Sequence, residues 1–392
     1  MRHRHLIPAI ALVLGLSAAA QGQDAPVKRL GAPTATHPAE FTRIEGIREL
    51  SDGRVFLVDA HELRVVRIDF NSGEVEPVGR IGRGPGEYQV PTGLLALPAD
   101  SAVVVEMTGG PTSVLLTRDG VSEEGVEVEG AASGRTAFTV RSATDALGRV
   151  YYQKRIIRTV DGKPVASDTN AIVRVDRASG RRDTIAYVST RSRSPLIKER
   201  REQQVVGGMV VSQARAAPIP FTSVDQFAVA PDGRVAVVSV EPYHVTFFSA
   251  SGVRTDGPAI TFTPVRVDDD VREAYRVDAK RPRLGVMIER GGGITPRIAP
   301  ARYTEPEEWP DALPPFLGDA VSFASDGNLW VQRATHPDAP TTYDIIDASG
   351  RVTSRVALPE GRRLVGFGDG TVYLVRIDDD DLEYLERYAL PK

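Results

Sequence analysis

One hairpin pattern recurs along this chain, and it limits the possible folds more than any other feature of the sequence. In the first copy, Asp52-Gly53 forms a tight turn, because glycine accepts a positive φ and aspartate can hydrogen-bond its own backbone. The run Arg54 to Val58 is rich in residues typical of strands, and Leu63 to Phe70 then alternates with a period of two. A second turn, Asn71-Ser72-Gly73, leads into Glu74 to Ile81. The stretch is therefore predicted to form a small sheet that cannot bury its apolar faces alone.

Six copies of this pattern are present. Their first turns lie at Asp52-Gly53, Asp100-Ser101, Leu147-Gly148, Asp232-Gly233, Asp326-Gly327 and Asp369-Gly370. The second turn recurs at Asn71-Ser72-Gly73, Arg118-Asp119-Gly120, Ala178-Ser179-Gly180, Ala250-Ser251-Gly252 and Ala348-Ser349-Gly350. Copies without a long interruption lie about 43 to 47 residues apart, and this period is typical of the four-stranded blades of β-propellers.

The last copy ends one strand short, after Glu383 to Leu390. We predict that Val27 to Leu30 supplies the missing strand. Closing the ring with an N-terminal strand would remove the two free sheet edges that an open array of blades would leave. The fold class that follows is all-β, a six-bladed β-propeller.

Two connections between copies are about twice the normal length, one from Gly148 to Gly233 and one from Gly233 to Gly327. They contain either two more blades, which would give eight, or insertions. Residues 194–213 and 268–280 show no β alternation, which favours insertions. We place the insertions at about residues 191–220 and 266–314.

Both insertions are predicted to be partly helical or irregular. Asp268-Asp269-Asp270 is typical of a helix N-terminus, where carboxylates meet the positive end of the helix dipole. Pro282 to Pro315 shows no strand pair joined by a turn. Each insertion follows the last strand of a blade, so both are expected on one face, where they partly roof a mouth of the central channel. Long loops in a compact domain are often functional.

The first residues are typical of a signal peptide. Arg2 and Arg4 precede the apolar run Leu6 to Leu16, and the small residues Ser17 to Ala20 follow. A retained membrane anchor is the alternative, but the apolar run is short for a bilayer span. We therefore predict a signal peptide at residues 1–23 and a propeller at 24–392, in the periplasm or outside the cell, with no membrane span after removal of the signal.

Composition limits the partners of the chain. The formal net charge is −4 and basic residues are spread along the sequence, which argues against nucleic acid or an anionic membrane as the main partner. The chain contains no cysteine, so core burial must stabilise it outside the cytosol. We expect a monomer.

The repeat resembles that of NHL-type six-bladed β-propellers. The link Gly82-Arg83-Gly84-Pro85-Gly86-Glu87-Tyr88, followed by Pro91, is similar to the G-x-GPGEF element of secreted bacterial members. The resemblance covers most of the mature chain and implies a closed propeller with a binding face. It implies no particular ligand, because propellers host many functions.

Three histidines follow the second strands of copies one, four and five, namely His61, His244 and His336. Equivalent positions place them on one face. Peptidylglycine hydroxyglycine lyases, which are NHL-like propellers, hold a metal with histidines around such a channel. Three neutral imidazoles with an open fourth position would suit zinc and would activate a water molecule. Exposed loop histidines without a metal are the alternative.

Carboxylates end the second strands of copies one, two and four, at Asp59, Glu106 and Glu241. Propellers of the lactonase type hold calcium in the channel with such oxygen ligands. The equivalent positions in the other copies are basic, at Lys154, Arg333 and Arg376. These cations would oppose a metal and favour a polar ligand-binding surface instead.

Four residues are candidates for ligand binding. Arg333 and Arg376, on adjacent blades, suit a carboxylate of a ligand or peptide, and Lys154 belongs to the same ring of strand ends. Trp309 lies in the second insertion, where it either caps a pocket or docks the insertion on the propeller.

The sequence contains no recognisable catalytic set and leaves three function classes open. The first is an exported binding module for a protein, peptide or carbohydrate ligand on the face with the insertions. The second is a metal-dependent lyase or hydrolase that acts over the channel with zinc or calcium. The third is a structural module of a cell-envelope assembly.

Overall fold

The structure is a computed structural model, and it describes residues 25–107, 113–122, 142–160, 163–191, 205–206, 209–210, 219–288, 294–301 and 303–391. The predicted signal peptide lies outside the described residues. Two short strands, β1 (Val27–Arg29) and β2 (Ala35–Thr36), precede the first repeat.

Blades 1 and 2 are four-stranded antiparallel sheets. Blade 1 consists of β3 (Ile44–Glu49), β4 (Val55–Asp59), β5 (Arg64–Ile68) and β6 (Val75–Pro77). The glycine-rich link forms a short parallel pair, β7 (Arg80–Ile81) and β8 (Glu87–Tyr88). Blade 2 consists of β9 (Pro91–Leu97), β10 (Ser101–Glu106), β11 (Leu115–Thr117) and β12 (Gly120–Val121).

Blades 3 and 4 repeat the arrangement, and part of the first insertion lies between them. Blade 3 consists of β13 (Ser142–Thr144), β14 (Val150–Val160), β15 (Lys163–Val175) and β16 (Arg182–Ser189). The pair β17 (Val205–Val206) and β18 (Met209–Val210) follows. Blade 4 consists of β19 (Gln226–Val229), β20 (Val235–Ser239), β21 (His244–Phe248) and β22 (Arg254–Asp256). Most of residues 194–213, predicted to be helical or irregular, lie outside the described residues.

The second insertion contains a helix and a hairpin ahead of the last two blades. These are α1 (Asp269–Lys280), β23 (Arg283–Ile288) and β24 (Ile294–Ala299). Blade 5 consists of β25 (Val321–Phe323), β26 (Leu329–Gln332), β27 (Thr342–Ile346) and β28 (Val352–Ala357). Blade 6 contains β29 (Arg362–Gly368), β30 (Thr371–Ile377) and β31 (Glu383–Ala389).

The first strands of neighbouring blades contact one another, as β3 does with both β9 and β29. The first strands therefore surround the central channel, and the later strands of each blade lie further out. Together with the strand order within each sheet, this confirms the predicted all-β, six-bladed propeller.

Neighbouring blades hold together through apolar side chains between their sheets. Trp330 of blade 5 is 1 % exposed, and its ring centroid lies 5.1 Å from that of Phe367 in blade 6, edge to face. Val372 and Leu374 of blade 6 are fully buried in the same cluster. Because each buried side chain of this size stabilises the fold by about 1.5–3 kcal/mol, these inter-blade clusters supply the core that a single blade lacks.

The closing strand is not the one predicted. β2 pairs antiparallel with β31, with Ala35 opposite Arg387, and forms the outermost strand of blade 6. β1 pairs parallel with β28 and adds a fifth strand to blade 5. The assignment of Val27 to Leu30 as the closing strand was therefore wrong. Further backbone contacts of the closing segment, such as the mutual hydrogen bonds of Phe41 and Glu383 at 2.9 and 2.8 Å, set its register on blade 6.

The prediction for the second insertion is confirmed for its helix and is wrong for the segment after the helix. The helix predicted after Asp268 is present, and Asp268 is its N-cap. Pro282 to Pro315 was predicted to hold no strand pair, but β23 and β24 pair along their whole length, with Arg283 opposite Ala299. No helix within the described ranges is long and apolar enough to cross a membrane.

Candidate functional site

The two insertions share one face of the propeller. The second and fourth strands of each blade run towards this face, so it carries the loops between second and third strands and the connections between blades. Residue 190 follows β16 and residue 257 follows β22, so both insertions begin there. We call it the insertion face.

Helix α1 is fixed to blade 5 at its first turn. The Asp268 carboxylate accepts a hydrogen bond from the Val271 amide at 3.1 Å and lies 3.2 Å from Nε2 of His336, which follows β26. The Val271 amide, and then His336, lower the pKa of Asp268. Val271 itself is 3 % exposed and packs against Leu313. The capping residue therefore both starts the helix and docks it on the propeller.

Trp309 lies in the cluster that holds α1 in place. Its ring centroid is 6.0 Å from that of Phe221 and 5.3 Å from that of Tyr275 on the helix. The guanidinium groups of Arg272 and Arg276 lie 5.8 and 5.4 Å from it. These contacts agree with the docking alternative for Trp309, and its role in ligand binding stays a prediction.

The hairpin after α1 reaches the other side of the ring. Leu284 on β23 packs against the apolar cluster between blades 1 and 2, which includes Ala60 and Tyr88. The helix that precedes it starts against blade 5 and, with twelve residues, is about 18 Å long. Since blade 5 and blade 2 lie on opposite sides of a six-bladed ring, the second insertion extends across the channel mouth.

A cavity of about 350 Å³ opens on the insertion face where blades 3, 4 and 5 meet. Its lining comes from the strand ends of blade 3, the segment before β19 and the segment before β25. The polar residues that line it are Gln153, Ser189, Thr190, Thr222, Ser223, Asp225, Gln226 and Asp319. None of the described lining residues is basic. We call this space the blade 3–5 cavity.

Two polar side chains of this cavity are fixed by the protein itself. Gln226 donates a hydrogen bond to the Gly318 carbonyl and accepts one from the Ala320 amide at 3.0 Å, so it joins blade 4 to the start of blade 5. Oδ1 of Asp225 accepts a hydrogen bond from the Val240 amide at 3.0 Å. These bonds give the cavity a rigid wall.

Ser223 has a different environment. It is 3 % exposed, and its Oγ has no hydrogen-bond partner in the described part of the chain. A buried hydroxyl without a partner costs about 1–3 kcal/mol. This hydroxyl is therefore the group of the cavity that would gain most from a hydrogen bond to a bound molecule.

A second, smaller cavity of about 210 Å³ lies beneath α1. Phe221, Val271, Tyr275 and Leu313 give it an apolar wall, and Arg333 lies at its edge. The Arg333 guanidinium donates to the fully buried Asp344 carboxylate at 3.1 Å. The Arg333 guanidinium is thus already paired with a carboxylate of blade 5.

The other basic candidates differ in their environment. Arg376 stacks on the Tyr384 ring, with its guanidinium 4.1 Å from the ring centroid, and lies 3.5 Å from Glu386. Lys154 is exposed on β14 and makes no ion pair or hydrogen bond with any described residue. Ligand binding by Arg333, Arg376 and Lys154 stays a prediction, and Lys154 has the cation most accessible to a partner.

The predicted metal ligands do not appear together in a candidate metal group of the described residues. Asp59 is fully buried and accepts hydrogen bonds from the Arg43 amide at 3.0 Å and from Arg64. Glu106 accepts from the Val90 amide at 3.1 Å. Both carboxylates thus fix the backbone that enters their blade, which the strand-end pattern alone did not show. Glu241 is exposed.

One group in the described chain has the composition of a metal site. Possible ligand atoms of Asp268, Asp270 and His336 lie within 4.8 Å of one another. His61 and His244 do not belong to this group, and Nδ1 of His244 lies 2.8 Å from the Pro242 carbonyl. Zinc or calcium binding by the predicted residues stays a prediction.

Sequence reasoning missed the residues of the blade 3–5 cavity. Ser223 and Asp225 lie just before the first strand of blade 4, at the end of the connection that crosses the insertion face. Their position just before a first strand is the sequence signal that could have indicated these two residues. Their neighbours in the cavity come from three blades, so no contiguous motif marks the site.

Comparisons with known proteins give low similarity over nearly the whole chain. No protein-family model and no curated protein matches it. A calcium-binding protein, regucalcin, from Agrobacterium tumefaciens aligns over 93 % of this chain and 97 % of its own, with 9 % identity and a TM-score of 0.43. A gluconolactonase from Xanthomonas campestris aligns over 93 % and 95 %, with 12 % identity and a TM-score of 0.41.

The PQQ-bound form of an aldose sugar dehydrogenase from Streptomyces coelicolor aligns over 93 % of this chain and 99 % of its own, with 13 % identity and a TM-score of 0.42. At this level of similarity, these structures carry no information about the site or the activity of this chain.

Proposed function

We propose that this chain is an exported, NHL-type propeller that acts as a binding module, and that the blade 3–5 cavity takes a neutral, polyhydroxylated ligand of the carbohydrate class. The observation that supports this most is the buried Ser223 hydroxyl, which has no partner among the described residues. The predicted signal peptide at residues 1–23 supports export.

The polar groups of the cavity suit hydroxyl groups. A serine hydroxyl both donates and accepts, the Gln153 amide does the same through two atoms, and a carboxylate such as Asp225 accepts. A sugar hydroxyl also donates and accepts, so it can satisfy all three. An anionic ligand would meet carboxylates and no described basic residue in the lining.

The size of the cavity agrees with a small ligand. Ligand sites occupy about 300–1,000 Å³, and the blade 3–5 cavity has about 350 Å³. A mono- or disaccharide is therefore favoured over a folded protein partner at this place. Because the Gln226 side chain is already held by hydrogen bonds, it loses little conformational entropy when a ligand binds.

The test uses isothermal titration of the mature protein with glucose, maltose, cellobiose and lactose. We expect at least one of them to bind, and Ser223→Ala to weaken it about five- to tenfold, as the loss of one hydrogen bond of about 1–1.5 kcal/mol implies. Without sugar, Ser223→Ala should unfold at the same or higher urea concentration, because it removes an unpaired buried hydroxyl.

Ser251→Ala is the matched control. Ser251 is exposed in the turn between β21 and β22, on the face opposite the cavity, and its Oγ shares a hydrogen bond with Ser249 Oγ at 2.8 Å. This variant should bind sugar as the wild type does. Binding that is equal in the wild type and Ser223→Ala, or no binding of any of the four sugars, contradicts the proposal.

The other two function classes have less support. The metal-dependent enzyme rests on the group Asp268, Asp270 and His336, but Asp268 already serves as the helix cap and accepts from His336. Metal analysis of the purified protein tests this class directly. The envelope module stays a prediction that the native mass of the protein addresses.

A further inference from the structure

The hairpin of β14 and β15 extends beyond the other strands of blade 3. The two strands pair as far as Val160 opposite Lys163, whereas β16 pairs with β15 only up to Thr169 opposite Ser189. The second strand of a blade runs towards the insertion face, so the end of this hairpin projects from that face. We call this two-stranded extension the blade 3 hairpin.

Three cations of the blade 3 hairpin have no ion-pair partner among the described residues. Lys154, Arg155 and Arg158 are exposed, and none of them forms an ion pair, hydrogen bond or ring contact with a described residue. Most arginines in the described chain are engaged, as Arg149 is with Asp145 at 2.6 Å and Arg174 with Asp183 at 2.9 Å. Three neighbouring cations on one projecting element, none with a described partner, are thus a local exception.

Two of these cations share a face with exposed apolar groups. Lys154, Ala171 and Tyr187 lie opposite one another across β14, β15 and β16, and side chains of directly opposite residues point to the same side of a sheet. The register of β14 with β15 shifts between Arg155 and Ile157, but the extra residues lie in β15. Residues 154 and 158 therefore share a side, because side chains still alternate along β14. Arg158 lies opposite Val165. Tyr187 is 60 % exposed and Val165 is 44 % exposed.

We propose that this face of the blade 3 hairpin binds an acidic polysaccharide. Carboxylates of the polymer would pair with Lys154 and Arg158, which are about 13 Å apart along the strand at 3.3 Å per residue. The exposed ring of Tyr187 would stack on the apolar side of a sugar ring. This surface is separate from the blade 3–5 cavity, because Gln153 lines that cavity and adjacent residues of a strand point to opposite sides.

The arrangement favours a polysaccharide over an acidic peptide. A peptide that adds to a sheet needs a strand with an open edge. Next to the two cations this is the edge of β14 itself, because within the described residues β13 pairs with β14 only as far as Tyr152. A peptide strand added there would be separated from Tyr187 by β14 and β15, at a distance of about 14 Å. A flexible chain of charged sugars can instead lie across the three strands and reach the cations and the aromatic ring together.

The test measures binding of the mature protein to immobilised alginate, a polymer of uronic acids, with dextran as the neutral polymer and poly-L-glutamate as the acidic peptide. We expect binding to alginate that weakens as salt rises, and no binding to dextran. Lys154→Gln/Arg158→Gln should weaken alginate binding about fivefold, the effect of losing two exposed charge contacts. Tyr187→Ala should weaken it further.

Arg177→Gln is the matched control, because Arg177 is an exposed cation of blade 3 in the turn on the opposite face, and it should leave the affinity unchanged. Equal alginate binding by the wild type and the double variant overturns the proposal. Equal binding of dextran overturns it too. Poly-L-glutamate binding as tight as alginate binding, with no effect of Tyr187→Ala, would assign the surface to acidic peptides instead.

Discussion

Replacing Gly350 by alanine should destabilise the protein far more than the same change at Gly252, although both glycines end an identical Ala-Ser-Gly turn in neighbouring blades. Both have a positive φ, +79° and +85°. A Cβ at Gly350 would lie 2.6 Å from the Cα of Gly257 in blade 4, whereas a Cβ at Gly252 would have no neighbour within 4 Å. The two variants thus separate backbone strain from contact between blades.

The expected magnitudes follow from this geometry. An alanine in the left-handed region costs about 1–2 kcal/mol, and this cost applies to both variants. Forcing an extra carbon into close-packed backbone costs about 1–3 kcal/mol more, and this applies only to Gly350→Ala. The free energy of unfolding should therefore fall by about 2–5 kcal/mol for Gly350→Ala and by about 1–2 kcal/mol for Gly252→Ala.

Urea unfolding followed by circular dichroism measures the difference. With a slope of about 3 kcal/mol per molar urea, the midpoint should fall by roughly 0.7–1.7 M for Gly350→Ala and by roughly 0.3–0.7 M for Gly252→Ala. Equal midpoints for the two variants would show that the blades do not approach as closely as the structure indicates. The reasoning about inter-blade contact would then be refuted.

Two further perturbations test the closing segment and the docked helix. Phe41→Ala should lower the free energy of unfolding by about 3–5 kcal/mol, because Phe41 is 1 % exposed and packs on blade 6; a loss below about 1 kcal/mol in urea unfolding would contradict the closure by this segment. Acid should release α1 from blade 5. The Val271 amide and His336 lower the pKa of Asp268 in the folded protein. The Asp268 carboxylate therefore stabilises the docked helix fully above its unfolded-state pKa of about 3.9, and this stabilisation is lost as the pH falls through the lower pKa of the folded state. Trp309 fluorescence in a Trp330→Phe background should change as the pH falls below about 3.9 in the parent and not in Asp268→Ala. The same pH dependence in both proteins would refute the assignment.

The repeat was predictable because each copy contains its own turn chemistry. Gly53 has a φ of +85° and donates its amide to the Leu50 carbonyl at 2.9 Å, as the Asp-Gly turn required. Gly233 and Gly327 have nearly the same φ, +84° and +81°. A local signal that recurs six times therefore determines the number and order of the blades.

The closing strand was not predictable from local pattern. Val27 to Leu30 resembles a strand and is one, but it pairs with blade 5. Ala35–Thr36 has only two residues and no apolar alternation, and its position is fixed by pairing with β31, more than three hundred residues away in the sequence. Likewise, glycines and prolines concealed the hairpin of β23 and β24, in which Pro296 lies opposite Val286.

The candidate site was only partly predictable. The insertion face follows from the position of the insertions in the repeat, and the sequence placed His336 on it. Which polar side chains remain without a partner depends on distances between blades. Asp59 ends the second strand of blade 1 and Ser223 precedes the first strand of blade 4. The Asp59 carboxylate accepts several hydrogen bonds, whereas the Ser223 Oγ has no partner among the described residues.

The path of the second insertion has a mechanical consequence for the ring. The seam between the two ends of the chain lies in blade 6, where a two-residue strand completes the sheet. The insertion contacts blade 5 through Asp268 and blades 1 and 2 through Leu284, so it joins the two flanks of that seam. Separating the strands at the seam by force would therefore also have to break the contacts of Asp268 and Leu284.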